Sequence, residues 1–369
     1  MIMTMTGCHQ EAQKLEAFNV EVYSPKNATG FRIIGAKDKS SVIIESKNPW
    51  QGASDASKML YVQRDNEPVP TGFKGEILKK IPERIITMSS TQIAMFESLC
   101  SVDKIVGVSG LQFITNENIK NRTHKIADVG YDGNINYELI MGINPDLIML
   151  YGVTGASPME NKLHELGIPY IYIGEYLEES PVGKVEWVRV VGEIIGKSAA
   201  ADSVINAVES EYNYLRNKVA NVPVRPKVMV NLPYGDSWFM PSTRSYLVTL
   251  IEDAGGNYIY KENNSNSSVP IDMEKAYQLV SESDVWLNPG NVKNISDMVA
   301  GAKRFMDLPI IKECRVYNNN KRNTADGGND FYESGAMNPH IILKDLIKIF
   351  HPEVYIDDNE MTYYTRLEK

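Results

Sequence analysis

The segment GDSWFMPSTRSY, residues 235–246, carries the side chains best suited to binding chemistry in this sequence. Aromatic rings stack on a flat ligand, and an arginine pairs with a carboxylate or catecholate oxygen. The segment therefore predicts a binding site for a large, flat or aromatic anion. Arg244 would supply the positive charge, although it could instead hold an acidic side chain at the surface. The residues assigned to the ligand are Trp238, Met240, Arg244 and Tyr246, with Phe239 in the same run.

Two later segments have a similar content. VWLNPGN, residues 285–291, follows a predicted strand, and core packing is an equal explanation of its tryptophan. In NTADGGNDFYESGAMNPH, residues 323–340, two glycines permit close backbone approach, and acids and rings follow them. Tyr332 would ligate the metal of a chelate, stack on a ligand or cover the end of the sheet. The predicted ligand residues of the two segments are Trp286, Asn288, Asp330, Phe331 and Tyr332.

Polar side chains also follow the strands predicted in the first half of the chain. The strand in PERIITM runs into the stretch from Ser89 to Gln92, at the strand end where α/β proteins place ligands. Capping of the next helix explains these hydroxyl groups equally well. SGLQ, residues 109–112, and the tyrosine after PDLIML follow two further strands. The predicted ligand residues of this half are Ser90, Thr91, Gln92, Gln112 and Tyr151.

The sequence lacks the motifs of several enzyme classes. The five histidines form neither an HExxH motif nor a paired spacing, so zinc catalysis is unsupported and no metal ligands are assigned. No GxSxG motif occurs, which leaves acyl transfer unsupported. GEIIGKS, residues 192–198, is one residue shorter than a phosphate-binding loop and lies inside a predicted helix. The sequence therefore gives no support to these three classes of site, in agreement with the expectation that the protein is not an enzyme.

The elements that position the candidate residues are short β-rich runs that alternate with helical ones. Residues 181–222 lie between two such regions and predict one long rigid helix, because apolar residues recur at helical spacing. The runs NINYELIMGINPDLIML and DMEKAYQLVSESDVWLN share a helix, a turn, an aspartate and an apolar strand. The predicted fold is therefore α/β, with Rossmann-like lobes at residues 81–180 and 223–369 joined by the linker helix.

Two further regions precede the first predicted lobe. Residues 1–25 predict a tether or lipoprotein leader, because the residues before Cys8 are similar to the lipobox of bacterial lipoproteins. The alternative is a disordered terminus with an incidental thiol. Residues 26–80 contain FRIIGA, SVIIES and KMLYVQR, which predict a small antiparallel β appendage. Cys100 and Cys314 are predicted to be buried, and a disulfide between them is an open alternative.

Composition limits the possible partners. The net charge of −9 argues against nucleic-acid binding, which needs a basic face. No run of about 20 apolar residues occurs, so no membrane-spanning segment is predicted.

The length of 369 residues exceeds the usual size of one hydrophobic core, which predicts two domains.

Six segments, taken in order, carry a resemblance to a known family. They are PERIITMSSTQIAMFESLCSVDKIVGVSG, INPDLIML, LHELGIPYIYI, the predicted linker helix, SYLVTLIEDAGGNYIY and LKDLIKIFHPE. Together they resemble the periplasmic substrate-binding proteins of bacterial ABC importers for iron complexes, haem and vitamin B12. The resemblance spans residues 81–353, and the β appendage is additional to it. It implies that the ligand binds in a cleft between two lobes and that a rigid helix keeps their closure small.

The resemblance also implies partners and a location. The family uses one acidic residue on each lobe to engage arginines of the permease, and these align with Glu138 in NYELI and Glu252 in LIEDAGG. Either glutamate could instead be a solvated helix residue. The implied protein is a monomeric receptor of the periplasm or cell envelope, anchored through a lipid on Cys8, that works with an ABC permease and its ATPase.

Two functions remain open at this point. The first is a receptor without a cofactor that captures a metal chelate, either a ferric siderophore or haem, with cobalamin as the alternative ligand. Arg244 favours the anionic iron complexes. The second function is that of a two-lobed oxidoreductase with a metal cofactor, whose cleft would need clustered Cys or His ligands that the sequence lacks.

Overall fold

The structure, a computed structural model, describes residues 14–122, 126–131, 133–301, 303–356, 358 and 360–369. Within these residues the chain divides into two compact units. The first unit comprises the chain up to Gly110, Arg122–Leu177 and Glu186–Ala201, and the second comprises Leu111–Asn121, Glu178–Val185 and Asp202–Lys369. The predicted domain boundaries and the joining of two lobes by a helix stay predictions.

The first unit begins with a five-stranded sheet of mainly antiparallel strands. The runs FRIIGA, SVIIES and KMLYVQR form three adjacent antiparallel strands, as predicted. The fifth strand is parallel to the fourth. Buried side chains such as Ile33, Ile43 and Tyr61 fill the core of this sheet. The strands are β1 (Val20–Tyr23), β2 (Phe31–Gly35), β3 (Val42–Lys47), β4 (Ser57–Val62) and β5 (Glu76–Leu78), paired in this order.

A parallel sheet follows in the same unit. Its strands pair in the order β10-β9-β6-β7-β8, and every pairing is parallel. The run PDLIML becomes β9, all four residues of which are buried, as is typical of a strand covered on both faces. The elements are β6 (Ile85–Thr87), α1 (Ser90–Ser98), β7 (Ile105–Val108), α2 (Glu117–Lys120), β8 (Ala127–Asp128), α3 (Tyr137–Ile143), β9 (Leu147–Leu150), α4 (Met159–Leu166) and β10 (Tyr170–Tyr172).

The prediction of one unbroken helix over residues 181–222 is wrong. The stretch forms α5 (Pro181–Glu186), α6 (Val188–Ile195) and α7 (Ser198–Lys218). Gly196 has a left-handed backbone with φ of 73°, and the amide of Lys197 donates to Gly192 O at 2.7 Å, which is a glycine-based helix end. A side chain at Gly192 would lie 2.7 Å from Cβ of Ala201. The two glycines therefore make a close turn and are not merely tolerated within a helix.

The second unit contains another sheet of mainly parallel strands. Its order is β13-β11-β15-β16-β17, in which only β17 is antiparallel to its neighbour, and β12 and β14 form a separate two-stranded antiparallel sheet. The elements are β11 (Lys227–Val230), β12 (Trp238–Met240), α8 (Tyr246–Asp253), β13 (Asn257–Tyr258), β14 (Val269–Ile271), α9 (Met273–Ser281), β15 (Val285–Leu287), α10 (Ile295–Gly301), α11 (Pro309–Lys312), β16 (Val316–Asn318), α12 (Ser334–Met337), α13 (Pro339–Phe350) and β17 (Thr365–Arg366).

A buried carboxylate attaches the N-terminal sheet to the rest of the first unit. Glu186 accepts hydrogen bonds from the backbone amides of Lys26, Asn27 and Ala28 at 2.9, 2.8 and 2.6 Å. The adjacent Trp187 is fully buried against Phe31, with 4.9 Å between ring centroids. The interruption between α5 and α6 therefore coincides with the residues that hold β2.

Candidate functional site

A cavity of about 260 Å³ lies at the carboxyl ends of β6, β7 and β9 in the first unit. Met88 follows β6, Ser109 follows β7 and Tyr151 follows β9, so three strand ends meet at its wall. Parallel sheets bind ligands at such strand ends. Tyr151 is the predicted ligand residue that the structure places here, and its contact with a ligand stays a prediction. The cavity is lined by Met88, Ser109, Gly133, Ile135 and residues 150–159.

The N-terminal sheet supports the loop that forms most of this cavity wall. The amide of Gln51 donates to Val153 O at 3.0 Å. Trp50 packs so closely on Gly152 that an added Cβ there would lie 3.0 Å from Cβ of Trp50. The hydroxyl of Tyr172 accepts from the amide of Ser157 at 2.6 Å. Apart from Tyr151, this loop was absent from the predicted ligand residues, although its glycines and serine after a buried strand are a recognisable loop signal.

The polar run after β6 stabilises the strand end. Ser89 caps α1 by accepting from the amide of Thr91, and the Thr91 hydroxyl donates to Glu175. Gln92 is fully buried, with Oε1 accepting from Met88 N at 3.0 Å and Nε2 donating to Leu150 O at 3.2 Å. Gln92 therefore ties together two residues of the cavity wall and has no exposed surface for a ligand. Direct ligand contact by Ser90 and Thr91 stays a prediction.

Gln112 lies elsewhere. It is exposed and belongs to the stretch Leu111–Asn121, which packs in the second unit. The structure therefore does not place it in the wall of the first-unit cavity.

In the second unit an asparagine stands at the carboxyl end of three neighbouring parallel strands. Asn231 and Asn288 follow β11 and β15, and Asn318 ends β16. The first two have left-handed backbones, with φ of 66° and 55°, which asparagine adopts more readily than most residues. Nδ2 of Asn318 donates to Gly290 O at 2.7 Å and fixes the loop that Asn288 begins. Of these three, only Asn288 was a predicted ligand residue.

Strand alternation decides which rings of the segment 235–246 are accessible. Trp238, Met240 and Trp286 are completely buried, and Nε1 of Trp238 donates to Val230 O at 2.9 Å. These three predicted ligand residues therefore lie in the core, which for Trp286 was the stated alternative. Phe239, between the two buried positions on β12, is 43% exposed, and Tyr234 in the preceding turn is 83% exposed. Because successive side chains of a strand point to opposite faces, the sequence already indicated that Phe239 would be exposed if Trp238 and Met240 were buried.

The loop after β16 combines one buried acid, one buried ring and one exposed ring. Asp330 is 5% exposed and pairs with Arg322 at 2.9 Å. Phe331 is also buried and packs edge-on against Tyr364 with 5.8 Å between ring centroids. Tyr332 is 58% exposed, and its hydroxyl accepts from Nδ2 of Asn319 at 3.3 Å. Of the three predicted residues, Tyr332 is therefore the one with a surface that a ligand could contact.

Tyr246 lies close to that loop. Burial, followed by the negative charge of the Tyr363 and Tyr332 hydroxyls when ionised, raises the pKa of the Tyr246 hydroxyl. Nζ of Lys184 stands 4.1 Å from the centroid of the Tyr246 ring. The hydroxyl therefore stays a neutral phenol at physiological pH, while the partly buried ring packs under a cation.

Arg244 pairs with an acid at the surface. Its Nε lies 3.5 Å from Oε1 of Glu179, and both side chains are more than half exposed. An exposed pair of this kind contributes little to stability, so a ligand carboxylate could compete with Glu179. Ligand binding by Arg244 stays a prediction beside this observed surface pair.

The two predicted docking glutamates differ in their surroundings. Glu138 is exposed in the first turn of α3. Glu252, near the end of α8, accepts from Tyr258 N at 3.0 Å and from Nζ of Lys261 at 2.5 Å. Glu252 therefore has internal partners with which a permease arginine would compete, and both docking roles stay predictions.

Three further predictions concern cysteines and a membrane. Cys8 lies outside the described residues, so its lipidation stays a prediction. Cys100 and Cys314 are free thiols. The prediction that both are buried is wrong, because Cys100 is exposed just beyond the end of α1 and Cys314 is only half-buried. Among the described residues, no helix is long and apolar enough to cross a membrane. The same residues contain no group of three or more His, Cys, Asp or Glu side chains that could hold a metal ion.

Comparison with known proteins identifies the family. A family model described as "periplasmic binding protein" matches residues 85–322, well over half of the chain. The chain belongs to the periplasmic binding protein family. It is 29% identical over 333 residues to the uncharacterized lipoprotein MJ0878 of Methanocaldococcus jannaschii, covering 84% of this chain and 78% of that protein. A second lipoprotein of that organism, MJ0872, is 26% identical over 336 residues, 85% of this chain and 81% of the relative.

Three solved structures of binding proteins share the fold at low sequence identity. A periplasmic binding protein of Veillonella parvula aligns with a TM-score of 0.61 and 15% identity, over 85% of this chain and 99% of its own. The periplasmic haem-binding protein RhuT of Roseiflexus sp. RS-1 aligns with a TM-score of 0.57 and 20% identity, over 73% of this chain and 98% of its own. The siderophore-binding protein FhuD of Vibrio cholerae, solved with Fe³⁺-Desferal, aligns with a TM-score of 0.53 and 16% identity, over 73% of this chain and 99% of its own. The family and these structures are solute-binding proteins, not enzymes.

Proposed function

We propose that this chain is the substrate-binding component of an ABC importer, which captures an iron complex and delivers it to a membrane permease and its ATPase. The observation that carries the proposal is the cavity of about 260 Å³ at three parallel strand ends, in a chain of the periplasmic binding protein family. The proposed ligand is a ferric siderophore or haem, in line with the ligands of the similar structures from Roseiflexus and Vibrio cholerae. Cobalamin is the alternative ligand.

The proposed location is the cell envelope. Two relatives are named as lipoproteins, which supports attachment through an acylated Cys8. A lipid anchor would keep the receptor near the permease and raise its effective concentration there.

Replacement of Tyr151 by alanine should weaken ligand binding. The ring stands at the carboxyl end of β9 in the cavity wall, where the loss of one aromatic contact costs about 1.4 kcal/mol, or about tenfold in the dissociation constant. The measurement is fluorescence quenching with haemin, ferric desferrioxamine B and cyanocobalamin, each titrated into the purified protein. Tyr214→Ala is the matched control, because that ring is 57% exposed on α7 and lies outside the cavity wall. Absence of binding of all three probes to the wild type would reject an iron complex and cobalamin alike.

Charge reversal at the docking positions should reduce transport without reducing ligand affinity. Glu138→Arg places a cation where the proposed permease arginine approaches, and we expect at least about a tenfold loss of transport, since like charges at an interface cost several kcal/mol. Uptake of the bound probe by cells that carry the permease is the readout. Glu252→Gln is the milder test at the second position, because it keeps an oxygen for the amide of Tyr258. Normal uptake by Glu138→Arg would reject this docking residue.

A further inference from the structure

The wall of the first-unit cavity is built from uncharged residues. None of the described residues that line it is a Lys, Arg, His, Asp or Glu. The wall supplies apolar surface from Met88 and Ile135, the ring of Tyr151, and the hydroxyl groups of Ser109 and Thr154. A hydroxyl group donates and accepts hydrogen bonds without bringing a charge. The wall therefore suits a ligand that presents apolar surface and uncharged polar groups.

The loop after β9 adds backbone donors to this wall. Residues 153–156 belong to the lining, and within the described part of the chain their backbone amides donate to no protein acceptor. The carbonyl oxygens of amides and hydroxamates are uncharged acceptors for such donors. A carboxylate oxygen could accept the same hydrogen bonds, so the charge around the wall decides between the two kinds of ligand.

The charges just outside the wall do not favour an anion. Oδ1 of Asp128 accepts from two backbone amides at 3.1 and 3.0 Å. Glu160, the residue after Met159, accepts from Nζ of Lys58 at 2.7 Å, so this cation is already neutralised by an acid of the protein. The net charge of −9 adds a long-range repulsion of anions. A ligand carboxylate would therefore lose water at this wall without gaining a cation from the described lining residues.

The strand ends of the second unit, taken by themselves, have a similar chemistry. An asparagine amide stands at the carboxyl end of three neighbouring strands, at Asn231, Asn288 and Asn318. The exposed rings of the nearby loops are Phe239 and Tyr332. Amide groups and rings of this kind bind uncharged amides and apolar surface, because an amide offers both a donor and an acceptor.

Two arginines of the same loops are paired with acids. Nε of Arg244 lies 3.5 Å from Oε1 of Glu179, and Nε of Arg322 lies 2.9 Å from Oδ2 of Asp330. The sequence favoured an anionic complex because of Arg244. In the structure an anion would have to displace Glu179 before it could use this charge.

We propose that the ligand of this chain is an uncharged metal chelate whose surface carries amide or hydroxamate groups. The inference rests on the function proposed above and narrows its ligand. A ferric trihydroxamate has this chemistry, because its hydroxamate groups cancel the charge of Fe³⁺, and so does a corrinoid with carboxamide side chains. The propionates of haem and the catecholates of a ferric tricatecholate carry negative charge that the described wall does not neutralise.

Matched pairs of probes that differ by one carboxylate test the proposal. N-acetyl and N-succinyl ferrioxamine B share one ferric trihydroxamate, and cyanocobalamin and its monocarboxylic acid share one corrinoid. Each probe is titrated into the purified wild type, and binding is followed by protein fluorescence. In the pair that binds, we expect the uncharged member to bind at least about tenfold more tightly than its carboxylate partner. The pair that binds identifies the source of the ligand.

The salt dependence is a second readout for the same titrations. The affinity for the uncharged member should change by less than about twofold between about 0.05 and 0.5 M NaCl, since screening acts on charge pairs. Equal or tighter binding of the carboxylate member, or tighter binding of haemin than of both uncharged probes, would overturn the inference and leave the receptor function standing. If none of these probes binds, the function proposed above is rejected and the inference with it.

Thr154→Lys tests whether this wall sets the preference. The residue is exposed on the loop after β9, so the fold should tolerate the change. A cation in the wall should lower the ratio of the two dissociation constants, carboxylate member over uncharged member, by about tenfold. Thr154→Gln is the matched control of similar length without the charge, and its ratio should stay within about twofold of the wild type.

The ratio compares two ligands on the same variant, so a general loss of affinity cancels. An unchanged ratio in Thr154→Lys would show that the ligand lies away from this wall and would overturn the assignment. The comparison of the matched probes on the wild type does not depend on either variant.

Discussion

Trp238→Ala should lower the free energy of unfolding by about 3–5 kcal/mol, which is the usual cost of truncating a buried tryptophan. The side chain is fully buried and packs against Trp286 and Phe305, with ring centroids 5.3 and 5.7 Å away. Its indole nitrogen also donates to Val230 O, which would lose this donor. Urea denaturation followed by circular dichroism measures the change. Trp238→Phe is the conservative control and should recover most of the stability.

Phe239→Ala on the same strand should reduce ligand affinity while leaving stability nearly unchanged, which is the opposite of the effect expected for Trp238→Ala. Its side chain is 43% exposed, so stability should change by no more than about 0.5 kcal/mol, as for most surface substitutions. Affinity for the probe that binds should fall by about tenfold if the ring contacts the ligand. A stable Trp238→Ala variant that has lost ligand binding would show that the buried ring, not Phe239, forms the ligand surface.

Glu186→Ala should destabilise the first unit by at least about 3 kcal/mol, because a hydrogen bond to a charged group contributes about 1.5–3 kcal/mol and several are lost together. The side chain is 1% exposed and accepts from the amides of Lys26, Asn27 and Ala28. We also expect faster hydrogen exchange at these three amides. Exchange mass spectrometry on the intact protein measures the second effect directly.

Glu186→Gln is the control for this prediction. It keeps one oxygen acceptor and nearly the same volume, so its loss of stability should be clearly smaller than that of the alanine variant. Unchanged exchange at residues 26–28 in Glu186→Ala would show that other contacts hold the N-terminal sheet, and that the carboxylate is dispensable there.

The N-terminal sheet has a role at the candidate site as well as in stability. Gln51 donates to Val153 O, and Trp50 packs on Gly152, so the sheet shapes the loop that lines the first-unit cavity. Ser46 Oγ donates to the carbonyl of Tyr172 at 2.6 Å, which links the sheet to β10. The region predicted as an appendage thus supports the loop that lines the cavity.

The pattern of residues close together in the sequence was sufficient to predict the strands and to indicate the family. Continuous apolar runs such as PDLIML predicted buried parallel strands, and their alternation with helices predicted an α/β fold. The order of six short segments indicated the family that the match over residues 85–322 confirms. These features depend on residues adjacent in sequence, and the hydrophobic period reports them directly.

The error in the helix over residues 181–222 has a different origin. Helical periodicity continues through Gly192 and Gly196, and each glycine taken alone costs only about 1 kcal/mol in a helix. The turn forms because Gly192 lies against Ala201 and the Lys197 amide reaches Gly192 O. The apolar spacing continues unchanged from α6 into α7, so it does not reveal that a turn separates the two helices.

The candidate site shows the same division between sequence and tertiary structure. Residue types alone determined that rings, amides and acids stand at the ends of parallel strands, since a strand end follows from the pattern of a single segment. Which of them are accessible depended on packing: Trp238 and Trp286 entered the core, while Phe239 and Tyr332 kept exposed surface. The pairings of Glu186 with residues 26–28 and of Glu333 with residues 115–116 join positions more than 150 residues apart. No local pattern contains them, because a buried carboxylate is stabilised by whichever backbone donors the tertiary fold brings to it.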